Sequence, residues 1–172
     1  SVYLLGRYNA DEHYLPPAWK KDFGDLMTVE FRTIHKSKGS EADYVVLPHL
    51  VRQGFPSRKE DDPVLRLAMP AEDTYPKSEE RRLFYVALTR ARRSVAMFTV
   101  QGRESPFLIE LIKDGWVEML DSDGEPSTAI ICPKCAGGVM VQKTGRNGPF
   151  LSCTNFPPCR KSMNIPLAPA VV

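Results

Sequence analysis

The feature that most constrains this 172-residue chain is where its four cysteines fall. The first 131 residues hold none, and then Cys132, Cys135, Cys153 and Cys159 follow in close succession. Such a chain is not built on a general disulfide framework. The first pair, Cys132-Pro-Lys-Cys135, has the spacing that sends two thiolates from one tight turn to one tetrahedral Zn²⁺. A second pair some ~15–20 residues later completes a four-thiolate site. That second pair, Cys153-x5-Cys159, is wider than a standard knuckle and encloses Pro157 and Pro158. Structural zinc suits the set best; a redox dithiol, disulfides or an iron–sulfur cluster are the other chemistries open to it. Residues 139–143 and 149–152 are expected to form a hairpin, with residues 145–148 as its turn.

Charge sets the same region apart. The whole chain is at +2, but from Pro126 onward it carries Lys134, Lys143, Arg146, Arg160 and Lys161 and no acid, which is +5. The earlier part keeps the remaining 18 basic residues against 21 acidic ones, or −3. A small basic module points to a polyanionic partner, with thiolates offsetting part of that charge.

The first 120 residues alternate strand and helix signals. Apolar or β-rich runs at 2–5, 27–33, 44–47 and 94–100 read as strands, and 117–120 as a possible last one. Residues 78–91 read as a helix, with Ser78 as N-cap and Glu79 and Glu80 in the first turn, where the helix dipole favours negative charge. Leu83, Phe84, Ala87, Leu88 and Ala91 make its apolar stripe. Pro106 opens a second helix that closes at Gly115. The expected class is therefore α/β, a partial parallel-sheet domain over 1–120 followed by a small β-rich zinc ribbon. Residues 121–131 read as a linker, 132–163 as the ribbon and 164–172 as an irregular tail. The stretch 52–76 is polar and Pro-containing and reads as a long loop. No apolar run approaches the roughly 20 residues that span a bilayer, and no signal peptide is visible. The expected setting is soluble and cytoplasmic, with no membrane partner.

Two segments concentrate chemistry. Thr33-Ile-His-Lys-Ser-Lys-Gly-Ser-Glu-Ala-Asp43 follows a strand, and the carboxyl ends of strands in open α/β sheets bind ligands. Its Lys-Ser-Lys-Gly turn offers N–H groups and cations to phosphate, as any solvated turn of this composition also would. It lacks the spacing of a P-loop. Glu79-Glu-Arg-Arg-Leu-Phe-Tyr-Val-Ala-Leu-Thr-Arg-Ala-Arg-Arg93 places Arg90 one turn from Val86 and Ala87, where it reads either as a phosphate clamp or as a plain surface arginine.

Taken together, these segments resemble motifs V and VI of the UvrD/Rep-like superfamily 1 DNA helicases, which read approximately T-x-H-x-x-K-G-L-E and E-E-R-R-L-x-Y-V-A-x-T-R-A. The Gln53-Gly-Phe-Pro-Ser57 turn resembles the family's G-x-[FY]-P turn before an acidic stretch, and Gly6-Arg-Tyr-Asn9 resembles its strand ending in R-x-N. The resemblance spans most of residues 1–100 and implies the second RecA-like motor domain. It implies that Arg90 is the arginine finger sensing the ATP γ-phosphate. Glu41 would contact the ribose, and Gly39 would let backbone approach the nucleotide. Thr33, His35, Arg7 and Asn9 would touch single-stranded DNA or couple it to the ATP site. Phosphoryl transfer rests on positioning and charge neutralisation, which suits an arginine supplied by a neighbouring domain. Ser40 stands where the family usually has Leu, and Ala42 where Phe is commonest; both soften the packing behind Glu41. No Walker A lysine and no acidic Walker B strand is present. The expectation is thus a C-terminal fragment, without ATPase activity alone, of an enzyme using ATP and Mg²⁺ and moving 3′ to 5′. Its partner would be the missing N-terminal motor domain.

The cysteine module resembles the zinc ribbon of bacterial type IA topoisomerases, approximately C-P-x-C through G-x-[FY]-x-x-C-x-x-[FY]-P-x-C. Here the second half reads Gly148-Pro-Phe-Leu-Ser-Cys153-Thr-Asn-Phe-Pro-Pro-Cys159. The resemblance implies single-stranded DNA binding and a bacterial, nucleoid-associated setting. Phe150 and Phe156 can stack on bases or serve as core, while Lys143, Arg146, Arg160 and Lys161 can follow phosphates. A protein partner for the ribbon, or a structural cap on the motor, are the competing readings.

Overall fold

The computed structural model describes residues 1–57, 77–135 and 137–165. The chain divides into two compact units, Ser1–Val100 and Gln101–Val172.

The first unit is a four-stranded, all-parallel sheet with strand order β2-β1-β3-β4. It comprises β1 (Val2–Gly6), α1 (Trp19–Gly24), β2 (Val29–Thr33), β3 (Ala42–Leu47), α2 (Ser78–Leu88) and β4 (Ala91–Met97). Val2 lies opposite both Val29 and Tyr44, Gly6 opposite Thr33, and Leu47 opposite Met97. All four strands therefore begin at one end of the sheet and finish at the other. Consecutive residues of β1, from Tyr3 to Gly6, are all buried, so both faces of this central strand are covered. In α2, Glu80, Leu83, Phe84 and Ala87 are the buried positions, an i, i+3, i+4, i+7 stripe. Phe55, only 2% exposed, meets Phe84 edge-on with ring centroids 5.6 Å apart. Phe55 precedes a cis peptide bond to Pro56.

The α/β class holds, but several boundaries differ from expectation. The helix expected to run through Ala91 stops at Leu88, and the strand expected at 94–100 runs from Ala91 to Met97. The cause is pairing: Ala42 lies opposite Ala91, and the Ala42 N–H bonds the Arg90 carbonyl at 3.0 Å, which draws this basic stretch into the sheet. Among the described residues β4 is an edge strand; Arg92, Arg93 and Ser94 are exposed, and the two arginine charges blunt that edge. Ser78 is not the N-cap. It is the first helical residue, preceded by Lys77 in a left-handed conformation (φ 60°). That register turns Glu80 inward. Residues 117–120 do not form a strand: Leu120 pairs alone with Pro126, and Asp121 Oδ1 accepts the N–H groups of Asp123 and Glu125 in a tight turn. Most of the long loop expected at 52–76 and of the tail at 164–172 lies outside the described residues.

The second unit holds α3 (Pro106–Lys113) and an antiparallel sheet in the order β5 (Ile130–Ile131), β6 (Val139–Gly145), β7 (Gly148–Cys153), β8 (Ser162–Met163). Ser105 caps α3 by accepting the Phe107 N–H at 3.3 Å, and Pro106 occupies the first turn, where no N–H is needed. The helix closes at Gly115 as its sequence signals. β6 and β7 form the expected hairpin, with Met140 opposite Cys153 and Gly145 opposite Gly148. The buried cluster of this sheet is Cys132, Met140, Leu151, Cys153 and Cys159. Three of its five members are thiols, so the hydrophobic core alone is very small. No helix among the described residues is long and apolar enough to cross a membrane.

Candidate functional site

The segment after β2 crosses the sheet from end to end. Thr33 finishes β2 at the carboxyl end, and Ala42 begins β3 at the amino end. The intervening residues form a strap pinned by its own hydrogen bonds. Thr33 Oγ1 accepts the Lys36 N–H at 3.4 Å, and the fully buried Ser37 hydroxyl donates to the Ile34 carbonyl at 2.7 Å. His35 is exposed near the carboxyl end. Gly39 has φ +82°, a left-handed conformation that favours glycine, with open space around it. The strap thus carries Thr33 and His35 at one end of the sheet and Gly39 and Glu41 at the other. The sequence placed the whole segment at strand carboxyl ends.

Arg90 joins the second group. It lies past the end of α2 and folds back, Nε donating to the Val86 carbonyl at 3.1 Å. Nη1 donates to the Ser40 carbonyl at 3.2 Å and Nη2 to Thr89 Oγ1 at 3.2 Å. A guanidinium against the last carbonyls of a helix also suits the helix dipole. Two segments 50 positions apart in sequence are therefore joined at the start of β3 and β4. Ser40 gathers a second cation, since Arg32 Nη1 donates to its hydroxyl at 3.2 Å while Arg32 also pairs with Glu30. Glu41 is exposed and paired with Arg92 at 3.1 Å. Of these two guanidinium groups, Arg32 uses the hydroxyl that a leucine at position 40 would lack, whereas Arg90 uses the backbone carbonyl.

Arg7 and Asn9 stand at the carboxyl end of β1. Arg7 Nε contacts both carboxylate oxygens of Glu80 at 3.1 Å, and Nη2 donates to Glu80 Oε1 at 2.6 Å. The pair is largely buried, with side chains 19% and 10% exposed. The Ser57 N–H donates to Glu80 Oε2 at 3.0 Å, and the Tyr8 hydroxyl donates to Ser57 Oγ at 2.9 Å. Burial pushes the Glu80 carboxyl up, but the Arg7 guanidinium and the Ser57 N–H outweigh it and hold it below the usual carboxylate range. Arg7 is thus engaged with Glu80, whereas Asn9 is exposed. Nearby in sequence, Tyr14 (55% exposed) stacks on His49 with centroids 3.5 Å apart. Glu80, Ser40, Arg32 and Arg92 were not singled out as polar partners from sequence. Only Glu80 left a signal there, by sharing a helix face with Leu83, Phe84 and Ala87.

The four cysteines converge. Their sulfur atoms all lie within 4.8 Å of one another. Cys132 and Cys159 are 3.8 Å apart, and Cys135 and Cys153 are 3.5 Å apart. These separations are far too long for disulfides. They agree with the ~3.8 Å edge of a tetrahedron built on Zn–S bonds of about 2.3 Å. Gly138 makes room for the site, because a Cβ there would stand 2.8 Å from Cys153 Sγ. As free thiols, Cys135 and Cys153 are shifted in opposite directions. Burial pushes the Cys135 thiol up, but the Gly137 N–H and the sulfur neighbours prevail and bring it to about 7. Burial pushes Cys153 up to about 12. Bound Zn²⁺ would be held by all four as thiolates and would supply a structural cross-link.

Around this centre, Lys143, Arg146 and Arg160 are exposed and Lys161 is half-buried. Phe156 is 63% exposed. Phe150 is half-buried, and the Cβ position of Gly145 lies 3.0 Å from its ring.

A parallel sheet with this strap and helix-end arginine, and a four-thiolate ribbon, define the class on which the comparisons converge. Residues 15–102 match the family described as the UvrD-like helicase C-terminal domain, and the chain belongs to that family. Residues 129–168 match the topoisomerase DNA binding C4 zinc finger. DNA helicase IV of Escherichia coli (strain K12) is 36% identical over 123 residues, which cover 66% of this chain and 16% of that protein. DNA topoisomerase 1 of Treponema pallidum (strain Nichols) is 46% identical over 44 residues, 26% of this chain and 6% of that enzyme. DNA topoisomerase 1 of Helicobacter pylori (strain ATCC 700392 / 26695) is 39% identical over 55 residues, 32% of this chain and 7% of that enzyme. The chain spans about a sixth of the length of the helicase it matches.

Proposed function

We propose that this chain is the C-terminal part of an ATP-dependent DNA helicase that translocates 3′ to 5′, and that its ribbon grips single-stranded DNA beside the motor. The observation that carries the motor reading is the joining of Arg90 to Ser40, next to Gly39 and Glu41, at one end of the sheet. In this reading Arg90 neutralises γ-phosphate charge in the transition state, and Glu41 and Gly39 meet the nucleotide. Asn9, Thr33 and His35 act at the opposite end, on DNA, and Arg7 braces them through Glu80. ATP and Mg²⁺ belong to the longer protein, whose N-terminal motor domain supplies the Walker motifs. The isolated chain does not hydrolyse ATP. In this reading residues 1–120 are assigned to the motor, so that α3 of the second compact unit counts with it, and residues 132–163 to the ribbon.

The ribbon reading rests on exposed Phe156 and on Lys143, Arg146, Arg160 and Lys161, with Zn²⁺ holding the fold. Its test is fluorescence anisotropy of the zinc-loaded chain with a labelled single-stranded oligonucleotide across a salt series. The slope of log K against log salt is expected to be about −0.7 per phosphate contact. Replacing Lys143, Arg146, Arg160 and Lys161 together with Ala is expected to abolish most binding and flatten that slope. Absence of binding at low salt would remove the DNA role and favour a protein partner for the ribbon.

A further inference from the structure

The second cysteine pair is spaced too widely for a tight knuckle to hold it, yet its sulfurs lie in the cluster. One residue between them makes two bonds that close the loop and a third that crosses the site. The Asn155 N–H donates to Cys153 Sγ at 3.3 Å, and its side-chain Nδ2 donates to Cys135 Sγ at 3.7 Å. Its carbonyl accepts the Cys159 N–H at 2.7 Å. Asn155 therefore touches three of the four cysteines, one of them across the site from the other knuckle. Its side chain is half-buried, and the Cβ position of Gly137 lies 3.6 Å from Nδ2.

We propose that Asn155 is the positioning residue of this metal centre. It fixes the wide C-x5-C loop through its backbone and draws charge from Cys135 through its side-chain amide. The physical need is clear. Four thiolates outweigh one Zn²⁺ and leave the site anionic, and N–H groups aimed at sulfur offset that charge. A C-x-x-C turn supplies such donors from its own backbone. Among the bonds at this site the C-x5-C loop supplies one, from the Asn155 N–H to Cys153 Sγ, and its Pro157 and Pro158 have no N–H to give. The Asn155 side-chain amide adds a second donor, reaching across the site to Cys135 of the other pair.

The proposal rests on zinc filling the four-cysteine site, and the test separates the two claims. The 172-residue chain would be prepared as wild type, Asn155→Ala and Asn155→Asp, the last keeping the shape and backbone bonds while removing the donor. Zinc affinity by chelator competition is expected to fall about 10–100-fold in Asn155→Ala, the usual cost of removing a group that orients a ligand. In Co²⁺-loaded protein, the sulfur-to-metal charge-transfer band is expected to move to longer wavelength in both variants, because a thiolate without its N–H donor gives up an electron more readily. An affinity loss with an unmoved band would reduce Asn155 to packing and overturn the proposal. Unchanged affinity and band would also overturn it. A wild-type chain without that band would remove the metal reading itself and this inference with it.

Discussion

Glu80 shows what single residues do here. It is a buried carboxylate whose cost of burial is met by the Arg7 fork and the Ser57 N–H. Removing one partner of such a pair strands the other, so Glu80→Gln is expected to destabilise the first unit by about 3 kcal/mol, the lower end for a buried pair because Arg7 keeps some solvent contact. Chemical denaturation at neutral pH measures this. Its pKa is depressed, so the Glu80 contribution is present above the unfolded value near 4.5 and is lost as pH falls below it. The acid limb of the wild-type stability profile should accordingly be steeper than that of Glu80→Gln below that pH. Arg7 was legible as a family position, and its partner was not. A hydrophobic stripe counts apolar residues, and Glu80 sits on that stripe as an acid that only a tertiary partner justifies. Ser40 is a similar case: sequence suggested softened packing, while the fold uses its hydroxyl and carbonyl to gather Arg32 and Arg90.

At the scale of elements, local signals worked where they were self-contained. The start and stop of α3 were readable because Ser105, Pro106 and Gly115 act within one turn of chain. Ser105→Ala is expected to cost about 0.5–2 kcal/mol, the usual value of a lost N-cap, measured by thermal unfolding of the zinc-loaded chain. The end of α2 was not readable, because Ala91 leaves the helix to pair with Ala42, a contact 49 positions away that no helical pattern records. The Phe55 turn belongs to the same level. Phe55→Ala removes a fully buried ring from the α2 face and is expected to cost about 3–5 kcal/mol. Retention of wild-type stability by that variant would deny Phe55 its place as the link between the turn and α2.

For the molecule as a whole, the two units are held by different physics. The first unit rests on an apolar parallel sheet, and the second keeps three thiols in its small core. Chelating the metal is expected to collapse amide-exchange protection across β5–β8 while leaving β1–β4 protected. The cysteine spacing made the second unit legible in outline, and the parallel sheet of the first was legible from its apolar runs. The strap was not. Its crossing from the carboxyl end of β2 to the amino end of β3 follows from both strands running parallel to β1, and which strap residues fall at which end is set by where β3 starts. That crossing separates the proposed DNA-facing residues from the proposed nucleotide-facing ones. The most direct test of the account is the steady-state ATPase activity of the longer helicase proposed to carry this segment, measured with saturating single-stranded DNA for wild type and Arg90→Ala. Arg90→Ala is expected to lower kcat by about 10³–10⁵-fold, the range for a lost arginine finger, with little change in nucleotide KM. A variant with near wild-type kcat would contradict the role given to Arg90, and with it the nucleotide site at the start of β3 and β4.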